Sequence, residues 1–262
     1  MRKRVIGIFD SGIGGLSVLR EITAQLPEHG FVYIADSAFT PYGEKSTEQI
    51  IERSVVITNK LLEEGAKIIV LACNTATALA VDHIREKFSL PIVAMEPAVK
   101  PGVKNSVKKK VGILATTMTL ASRRYMDLLE RFATDTVVIE QACPGLVDQV
   151  ERMEVDSIKT SQLLHRYIDP LIEKDIDTIV LGCTHYPFLK QKIIGVAGDD
   201  IEVIDTAKAV TEELKRKISE NRIPVSDINH NRFMTTGDLD VFKNQLQTYW
   251  PAQVDAEKID LN

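Results

Sequence analysis

One feature of the sequence limits the possible folds more than any other, and it is an internal repeat. Residues 67–75 and 177–185 align without gaps at an offset of 110, and each segment is a hydrophobic run that ends in a cysteine, Cys73 or Cys183. Two further pairs of segments match in the same order: residues 92–98 with 201–207 at an offset of 109, and residues 5–11 with 110–116 at an offset of 105. Such self-similarity indicates two related halves, each with one cysteine just past its third strand.

Short apolar and β-branched runs alternate along the chain with longer segments of helical periodicity. The short runs predict buried parallel strands at residues 5–9, 31–35, 68–71 and 92–95 in the first half and at 111–114, 136–139, 178–181 and 201–204 in the second. Between them, the spacing of apolar residues over 47–65 predicts a helix that ends at Gly65. The alternation predicts an α/β fold of two doubly wound parallel sheets, with functional residues at the carboxyl ends of the strands.

The repeat also predicts the domain boundaries. The fourth strand of each half ends at an acidic residue, Glu96 or Asp205, and we expect the chain to pass between the halves at these two points. The tail has a predicted helix at 207–219, a strand at 232–235 and a helix at 238–249, and we expect it to return to the first half. The expected domains are therefore residues 1–95 with 206–262, and residues 96–205.

Composition excludes several classes of function. The net charge is -5 at pH 7 and the basic residues are scattered, so nucleic acid is not an expected partner. No apolar run approaches the length of a membrane span, so no membrane partner is expected either. The three cysteines lack CxxC spacing, which argues against a disulfide scaffold or a cysteine-rich zinc site, and we expect no metal. Cys143 lies in a predicted turn and is interpreted as structural.

Cys73 and Cys183 each follow a predicted strand and precede a predicted helix. Asn74 and Thr75 are typical helix-capping residues, and Pro187 suits a first helical position. The positive end of a helix favours the thiolate form of a nearby cysteine. The alternative is that each cysteine is a small buried core residue, as free cysteines usually are. The duplicated position at strand ends, with polar neighbours, favours a chemical role.

Two equivalent groups related by pseudo-symmetry suit a reaction that is itself nearly symmetric. Racemisation needs a base on one face of an α-carbon and an acid on the other, and the roles exchange in the reverse direction. One cysteine as thiolate and the other as thiol would meet this need without a metal or an organic cofactor. A redox protein that forms a Cys73–Cys183 disulfide is an alternative, and it predicts thiol–disulfide exchange instead.

The glycine-rich turn at residues 10–16 opens a second alternative. In dinucleotide-binding proteins such a turn holds a pyrophosphate, and an acidic residue like Asp36 at the end of the second strand binds the ribose. Here Ser17 replaces the third glycine of that motif, and Asp10 would place a carboxylate beside the pyrophosphate. These departures make a nicotinamide-dependent enzyme the weaker interpretation.

Other polar residues are expected to act with the cysteines. We expect Asp10 to lie near Cys73 and to manage a proton or a substrate ammonium group, with Ser11 hydrogen-bonded to the substrate. His185 follows the second cysteine closely and is expected to favour its thiolate. Residues 41–43 are expected to form either a plain turn or a substrate-lining loop at the same sheet edge.

Four stretches together resemble the glutamate racemase family, within the aspartate/glutamate racemase superfamily: residues 9–18, 41–43, 72–76 and 181–187. The resemblance covers essentially the whole chain. It implies two pseudo-symmetric α/β domains with the active site at their interface, and interconversion of L- and D-glutamate without pyridoxal phosphate or another cofactor. It also implies a bacterial cytoplasmic enzyme that supplies D-glutamate for peptidoglycan and forms a homodimer. Aspartate racemase shares the two-cysteine design, but the sequences after Asp10 and after His185 favour glutamate.

The same resemblance implies roles for individual residues. Cys73 would take the α-proton from D-glutamate and Cys183 from L-glutamate, with Asp10, Glu151 and His185 as supporting acid and base groups. The implied substrate contacts are Ser11, Pro41, Tyr42, Gly43, Asn74, Thr75, Thr116, Thr119 and Thr184. Residues 143–148, which precede Glu151, are more polar than the run usual in the family.

Overall fold

The computed structural model describes residues 4–224 and 230–261 of the chain. Its strands are β1 (Val5–Asp10), β2 (Phe31–Ala35), β3 (Ala66–Leu71), β4 (Ile92–Ala94), β5 (Lys110–Ala115), β6 (Val137–Ala142), β7 (Thr178–Gly182), β8 (Glu202–Ile204), β9 (Asn231–Thr235) and β10 (Ala256–Lys258). Its α-helices are α1 (Leu16–Gln25), α2 (Thr47–Glu63), α3 (Asn74–Lys87), α4 (Val99–Asn105), α5 (Thr117–Leu120), α6 (Arg123–Phe132), α7 (Leu146–Glu151), α8 (Ile158–Ile172), α9 (Lys190–Ala197), α10 (Ala207–Glu220) and α11 (Leu239–Tyr249). Two short 3-10 helices span Tyr42–Glu44 and Tyr186–Leu189.

The described chain divides into two compact units. One unit runs up to Met95 and resumes at Ala207, and the other runs from Glu96 to Thr206. Each unit has its own parallel sheet and its own hydrophobic core. The prediction of an α/β fold with parallel sheets is therefore confirmed.

The sheet of the first unit has the strand order β10-β9-β2-β1-β3-β4, and its neighbouring strands are parallel. Every residue of β1 and β2 is buried, as expected for central parallel strands that are covered on both faces. The tail of the chain joins this sheet, because β9 pairs with β2 and places Phe233 opposite Tyr33. The ring of Trp250 packs against Phe233 at a centroid distance of 5.2 Å and against Phe31 at 6.2 Å.

The sheet of the second unit has the order β6-β5-β7-β8, again with parallel neighbours. This is the order of β2-β1-β3-β4 in the first unit, so the internal repeat corresponds to a repeated strand topology. In each unit the cysteine follows the strand beside the central one: it follows β3, beside β1, in the first unit and β7, beside β5, in the second. Polar residues at the ends of these strands therefore lie at the ligand-binding edge of an α/β sheet.

The repeat extends to an acidic residue that follows β4 and another that follows β8. Glu96 and Asp205 both belong to the second unit, and each forms an ion pair within it. Arg124 Nη2 lies 2.5 Å from Glu96 Oε1, and Lys190 Nζ lies 3.1 Å from Asp205 Oδ2. Both acidic residues are therefore held by ion pairs within the second unit.

The helix α2 shows how local sequence sets an element of the first unit. The Ser46 hydroxyl accepts a hydrogen bond from the Gln49 N–H at 3.3 Å, and the Gln49 side chain accepts one from the Ser46 N–H at 3.0 Å. This reciprocal capping box satisfies N–H groups that would otherwise be unpaired at the helix start. Gly65, with φ of 96°, turns the chain after the helix into β3. Ile50 and Ile57 bury one face of the helix in the core.

Candidate active site

The turn after β1 holds a carboxylate at the carboxyl edge of the first sheet. Asp10 is the last residue of β1 and is completely buried. Its Oδ1 accepts hydrogen bonds from the Ser11 hydroxyl at 3.0 Å and from the Gly12 N–H at 3.2 Å. Position 15 must be glycine for this arrangement, since a Cβ on Gly15 would lie 2.8 Å from the Cβ of Asp10. The turn therefore holds Asp10 and Ser11 in defined positions.

Cys73 follows the neighbouring strand, β3, and is itself the N-cap residue of α3. Its Sγ accepts a hydrogen bond from the Ala76 N–H at 3.4 Å, and its thiol donates to the Ser11 hydroxyl over 3.6 Å. The prediction that Asn74 and Thr75 cap this helix is wrong, because both residues already lie in its first turn. A sulfur at the N-cap feels the positive end of the helix, which stabilises a thiolate.

Asn74 and Thr75 are polar, yet each is only 3% exposed beside the cysteine. Among residues 4–224 and 230–261, neither Nδ2 nor Oδ1 of Asn74 has a hydrogen-bond partner. Buried polar groups in folded proteins are nearly always paired. An amide in this state next to Cys73 is suited to bind a polar ligand.

Pro41, Tyr42 and Gly43 lie at the beginning of the first 3-10 helix, after β2. Tyr42 is buried, and its hydroxyl donates a hydrogen bond to Asp36 Oδ2 at 2.6 Å. Burial, followed by the charge of Asp36 and the hydrogen bond to it, raises the pKa of Tyr42 well above its ordinary value, so the phenol stays protonated. The Tyr42 hydroxyl is therefore engaged by the protein, and this segment can offer a ligand its backbone groups.

In the second unit, His185 connects a cysteine to a carboxylate. Cys183 directly follows β7, and it is buried together with His185. The Cys183 Sγ lies 3.8 Å from His185 Nδ1, and His185 Nε2 lies 2.7 Å from Oε1 of Glu151, the last residue of α7. The structure thus brings together three of the residues singled out from the sequence.

The groups around His185 set its protonation state. Burial lowers the pKa of this imidazole, but the hydrogen bonds and charges of Cys183 and Glu151 act in the opposite direction and prevail. The pKa of His185 therefore lies well above its ordinary value, and the imidazolium is favoured at neutral pH. A positive charge beside a cysteine sulfur stabilises a thiolate by Coulomb attraction.

The two cysteines have different local supports. A 3-10 helix, Tyr186–Leu189, follows Cys183, whereas an α-helix follows Cys73. The sequence suggested that Pro187 is a first helical residue, but it is the second residue of that 3-10 helix. The sulfur of Cys73 is thus supported by a helix N-terminus and a hydroxyl, and that of Cys183 by an imidazole.

Three threonine hydroxyls lie at the carboxyl ends of β5 and β7. Thr116 is the N-cap residue of α5 and accepts a hydrogen bond from the Thr119 N–H at 3.2 Å, while the two hydroxyl oxygens are 2.9 Å apart. Thr184 Oγ1 lies 3.4 Å from Nδ1 of His185, the same nitrogen that faces Cys183. The second unit therefore presents neutral hydroxyl groups after two neighbouring strands, and the one on Thr184 lies beside the His185 nitrogen that faces Cys183.

Cys143 differs from the other two cysteines, although it is close enough to Cys183 for their charges to interact. Burial, and then the charge of Cys183, raises the pKa of Cys143 far above that of an ordinary thiol. Its thiol donates a hydrogen bond to the Gln141 carbonyl at 3.3 Å. Gly145, with φ of 85°, makes the turn into α7. These features agree with a structural role for Cys143.

The geometry disfavours the dinucleotide-binding alternative. The carboxylate of Asp36 is completely buried and accepts hydrogen bonds from Arg53, Tyr42 and Thr236, so it is not open to a ribose. The N–H of Gly12 in the glycine-rich turn is already bonded to Asp10. A pyrophosphate would have to displace these contacts and would meet a carboxylate.

Arg53 is a residue of this region that the sequence analysis did not single out. It lies on the face of α2 that buries Ile50 and Ile57, and it pairs with Asp36. A charged residue among the buried positions of an amphipathic helix is unusual unless it has a partner. That pattern was the signal in the sequence that could have identified it.

Comparison with known proteins shows the family of the chain. Residues 6–214 match the family described as Asp/Glu/Hydantoin racemase. The chain belongs to this family. It is therefore a racemase, an enzyme of the isomerase class. It is similar to a protein of Pseudomonas paraeruginosa named glutamate racemase, with 47% identity over 258 residues that cover 98% of this chain and 97% of the relative.

Solved structures of racemases share the fold. A glutamate racemase isoform of Bacillus anthracis matches with a TM-score of 0.91 and 33% identity, covering 100% of this chain and 99% of that one. The glutamate racemase of Escherichia coli, solved with L-glutamate and the activator UDP-MurNAc-Ala, matches with a TM-score of 0.89 and 30% identity, covering 99% and 100%. The similarity extends over both units of this racemase.

The described part of the racemase lacks features of two other classes of protein. Among residues 4–224 and 230–261, no helix is both long and apolar enough to cross a membrane. The same residues contain no group of three or more His, Cys, Asp or Glu side chains placed to hold a metal ion.

Proposed function

We propose that this chain is a glutamate racemase without a cofactor, in which one of two cysteines, Cys73 and Cys183, removes the α-proton and the other donates a proton to the opposite face. Glutamate as the substrate is supported by the relative from Pseudomonas paraeruginosa, which is named glutamate racemase, and by the Escherichia coli racemase, which was solved with L-glutamate. Similarity at 47% identity over nearly the whole chain makes a shared substrate the simplest explanation.

The observation that carries the proposal is the duplicated setting of the two cysteines. Each follows the strand beside the central one of its sheet, and each sulfur has a group that supports a thiolate. For Cys73 this is the N-terminus of α3, and for Cys183 it is the imidazolium of His185. Two such thiols suit a reaction that needs one base and one acid of similar strength whose roles can be exchanged.

The reaction is a proton abstraction followed by a protonation on the opposite face. Starting from L-glutamate, the Cys183 thiolate takes the α-proton, and the thiol of Cys73 then donates a proton to the other face of the carbanion to give D-glutamate. Starting from D-glutamate, the two cysteines exchange roles. After either turnover the thiolate and the thiol have changed places, so protons must be redistributed before the next turnover in the same direction.

The supporting groups are assigned from their contacts. The imidazolium of His185 stabilises negative charge on Cys183, and Glu151 holds that ring in place through its 2.7 Å hydrogen bond. In the first unit, Asp10 fixes the hydroxyl of Ser11, which in turn accepts the hydrogen bond of the Cys73 thiol. We infer that Asp10 also faces the ammonium group of the substrate.

Binding of glutamate relies on neutral groups. The proposed contacts are the side chains of Ser11, Asn74, Thr75, Thr116, Thr119 and Thr184, and the backbone of Pro41, Tyr42 and Gly43. The unpaired amide of the buried Asn74 supports this assignment, because a substrate carboxylate and ammonium would satisfy both of its polar atoms. The nearby guanidinium of Arg53 is bonded to Asp36 and is not assigned to the substrate.

The test is to incubate cofactor-free protein with L-glutamate in heavy water and to follow optical rotation and α-deuterium together. We expect rotation to fall to zero while deuterium appears at the α-carbon. A folded, reduced protein that changes neither signal would contradict the proposal. L-aspartate, assayed in parallel, is expected to react at least about tenfold more slowly, because a site shaped for glutamate loses one methylene of contact.

The proposal includes the cellular role and the assembly. We propose that the enzyme acts in the bacterial cytoplasm, supplies D-glutamate for peptidoglycan and works as a homodimer. Depletion of the protein in its host should stop growth unless D-glutamate is supplied. Light scattering on the protein as it leaves a size-exclusion column should give twice the mass of one chain. A single-chain mass at assay concentration would contradict the dimer.

A further inference from the structure

The carboxylate of Asp36 is a buried junction in the first unit. It is completely buried and accepts hydrogen bonds from three side chains. Arg53 donates from Nε to Oδ2 at 3.1 Å and from Nη2 to Oδ1 at 2.6 Å, Tyr42 donates to Oδ2 at 2.6 Å, and Thr236 donates to Oδ1 at 2.8 Å. Each carboxylate oxygen thus accepts two hydrogen bonds, so Asp36 has no remaining capacity for a ligand.

The partners of Asp36 come from parts of the unit that are far apart in sequence. Arg53 lies in α2, Thr236 directly follows β9, and Tyr42 lies in the segment that we assign to substrate binding. Arg53 also donates from Nη1 to the carbonyl of Leu261 at 3.1 Å, near the end of the described chain. The junction therefore joins the binding segment to α2 and to the C-terminal part of the sheet.

Three contacts attach the loop after β2 to this junction. The first is the Tyr42 hydrogen bond to Asp36. The second is the guanidinium of Arg53, which lies 4.1 Å from the centre of the Phe39 ring. The third is the N–H of Ala38, which donates to the Thr236 hydroxyl at 3.1 Å. Loss of Arg53 would remove the contact with the Phe39 ring. It would also remove the guanidinium that orients the Asp36 carboxylate, to which Tyr42 is bonded.

The bidentate pair has the charge and geometry to hold the loop rigidly. A guanidinium that meets a carboxylate through two parallel hydrogen bonds fixes the orientation of both groups, which an ammonium cannot do. Burial by itself lowers the pKa of Arg53, but the hydrogen bond and charge of Asp36 outweigh it and raise the pKa. The guanidinium of Arg53 therefore stays charged, and the phenol of Tyr42 stays a donor.

We propose that Asp36 and Arg53 are positioning residues that hold Pro41, Tyr42 and Gly43 in the conformation that binds the substrate. Neither touches the substrate. They act through the Tyr42 hydroxyl and the Phe39 ring, and they couple substrate affinity to the packing of α2 and the C-terminal strands. This inference rests on the proposed function, because the role of the segment is to bind the proposed substrate, glutamate.

The experiment compares three single variants, and the double variant of Arg53→Lys with Tyr42→Phe, with the wild-type enzyme in both reaction directions. Arg53→Lys keeps the positive charge but removes the bidentate contact. Tyr42→Phe removes the hydroxyl and leaves every charge in place. Arg232→Lys is the matched control, since Arg232 also bonds a carboxylate of this sheet, Glu257, at 2.6 Å, but does so from β9 and away from the loop.

The expected result is a change in KM with little change in kcat. Loss of one or two hydrogen bonds that hold the loop should raise KM for both enantiomers about five- to tenfold in Arg53→Lys and Tyr42→Phe. The double variant should be no worse than the poorer single variant, because both changes act through the same Asp36 carboxylate. Arg232→Lys should leave KM unchanged, whatever it does to thermal stability.

Amide hydrogen exchange over residues 37–45 supplies a readout that does not depend on turnover. Exchange of this segment in the free enzyme should be faster in Arg53→Lys and Tyr42→Phe than in the wild type, and unchanged in Arg232→Lys. A racemase whose KM and loop exchange are both unaffected by Arg53→Lys would overturn the positioning role. A wild-type protein without racemase activity would instead overturn the proposed function, and loop exchange would then still decide whether Arg53 holds the segment.

Discussion

The Nε2 atom of His185 lies 2.7 Å from Oε1 of Glu151, and this hydrogen bond fixes a buried ring whose other nitrogen faces the sulfur of Cys183. The result is a chain of three groups in which the central one carries a positive charge at neutral pH. In the first unit, Cys73 instead contacts the N-terminus of α3 and the hydroxyl of Ser11. The two cysteines are thus equivalent in the repeat but not in their electrostatic support.

Replacement of His185 by Gln should reduce kcat/KM by about 10²-fold, because the thiolate of Cys183 loses its positive neighbour. The two enantiomers have equal free energies in water, so kcat/KM must fall by the same factor in both directions. The difference between the two reaction directions should appear in kcat and in the deuterium isotope effect. The isotope effect should rise more for L-glutamate than for D-glutamate. Isotope effects that change equally for both enantiomers would contradict the assignment of His185 to Cys183.

The charge of His185 should also make its contribution to stability depend on pH. Its pKa is raised in the folded state, so the stabilisation is fully present below the unfolded value of about 6.5 and is lost as pH rises through the folded value. Urea unfolding of the wild type and of His185→Gln should therefore show the largest difference in stability at about pH 6 and a smaller one at higher pH. A difference that grows with pH would mean that the buried ring is neutral.

A methyl group at position 15 should damage the site through Asp10. The added Cβ would lie 2.8 Å from the Cβ of Asp10 and 3.0 Å from the Tyr33 hydroxyl, so Gly15→Ala must move one of them. We expect a loss of stability of about 1–3 kcal/mol and a fall in kcat/KM of at least about tenfold. Gly195→Ala in α9 is the control, because its Cβ would meet nothing within 4 Å. That change should slightly stabilise the protein and leave kinetics unaltered.

Cys143 should be dispensable for catalysis. Its raised pKa keeps it as a thiol, and its hydrogen bond to the Gln141 carbonyl is a packing contact. Cys143→Ala should lower the free energy of unfolding by about 1 kcal/mol and leave kcat/KM within about twofold of the wild type. A loss of activity comparable to that of a Cys73 variant would make Cys143 part of the reaction.

Much of the fold follows from local sequence patterns. The strands before Cys73 and Cys183 are buried apart from Lys67, so their β-branched runs are continuous and easily recognised. The helix after Asp205 begins at Ala207 as expected. β10 was not predicted. It has only three residues, Ala256–Lys258, and lies at the sheet edge, where two of the three are charged and no apolar alternation marks it.

The chemistry of the site is harder to predict from the sequence where that chemistry depends on contacts between distant residues. Asp36 fits the position of a ribose-binding acid in the local pattern, and only its contacts with Arg53 and Thr236 identify it as a buried junction. Similarly, Asn74 is a good capping residue by type, but the helix begins one residue earlier and uses Cys73 as its cap. Propensity identified the helix start, and the three-dimensional arrangement decided which side chain caps it.

The most direct test of the two-cysteine mechanism is α-hydrogen exchange in heavy water by the single variants Cys73→Ala and Cys183→Ala. Each variant should racemise at least about 10³-fold more slowly than the wild type, because one of two essential proton transfers is missing. Any exchange that remains should be confined to one enantiomer: L-glutamate when only Cys183 is left, and D-glutamate when only Cys73 is left. Exchange of both enantiomers at similar rates by either variant would contradict the mechanism, as would near-full racemase activity.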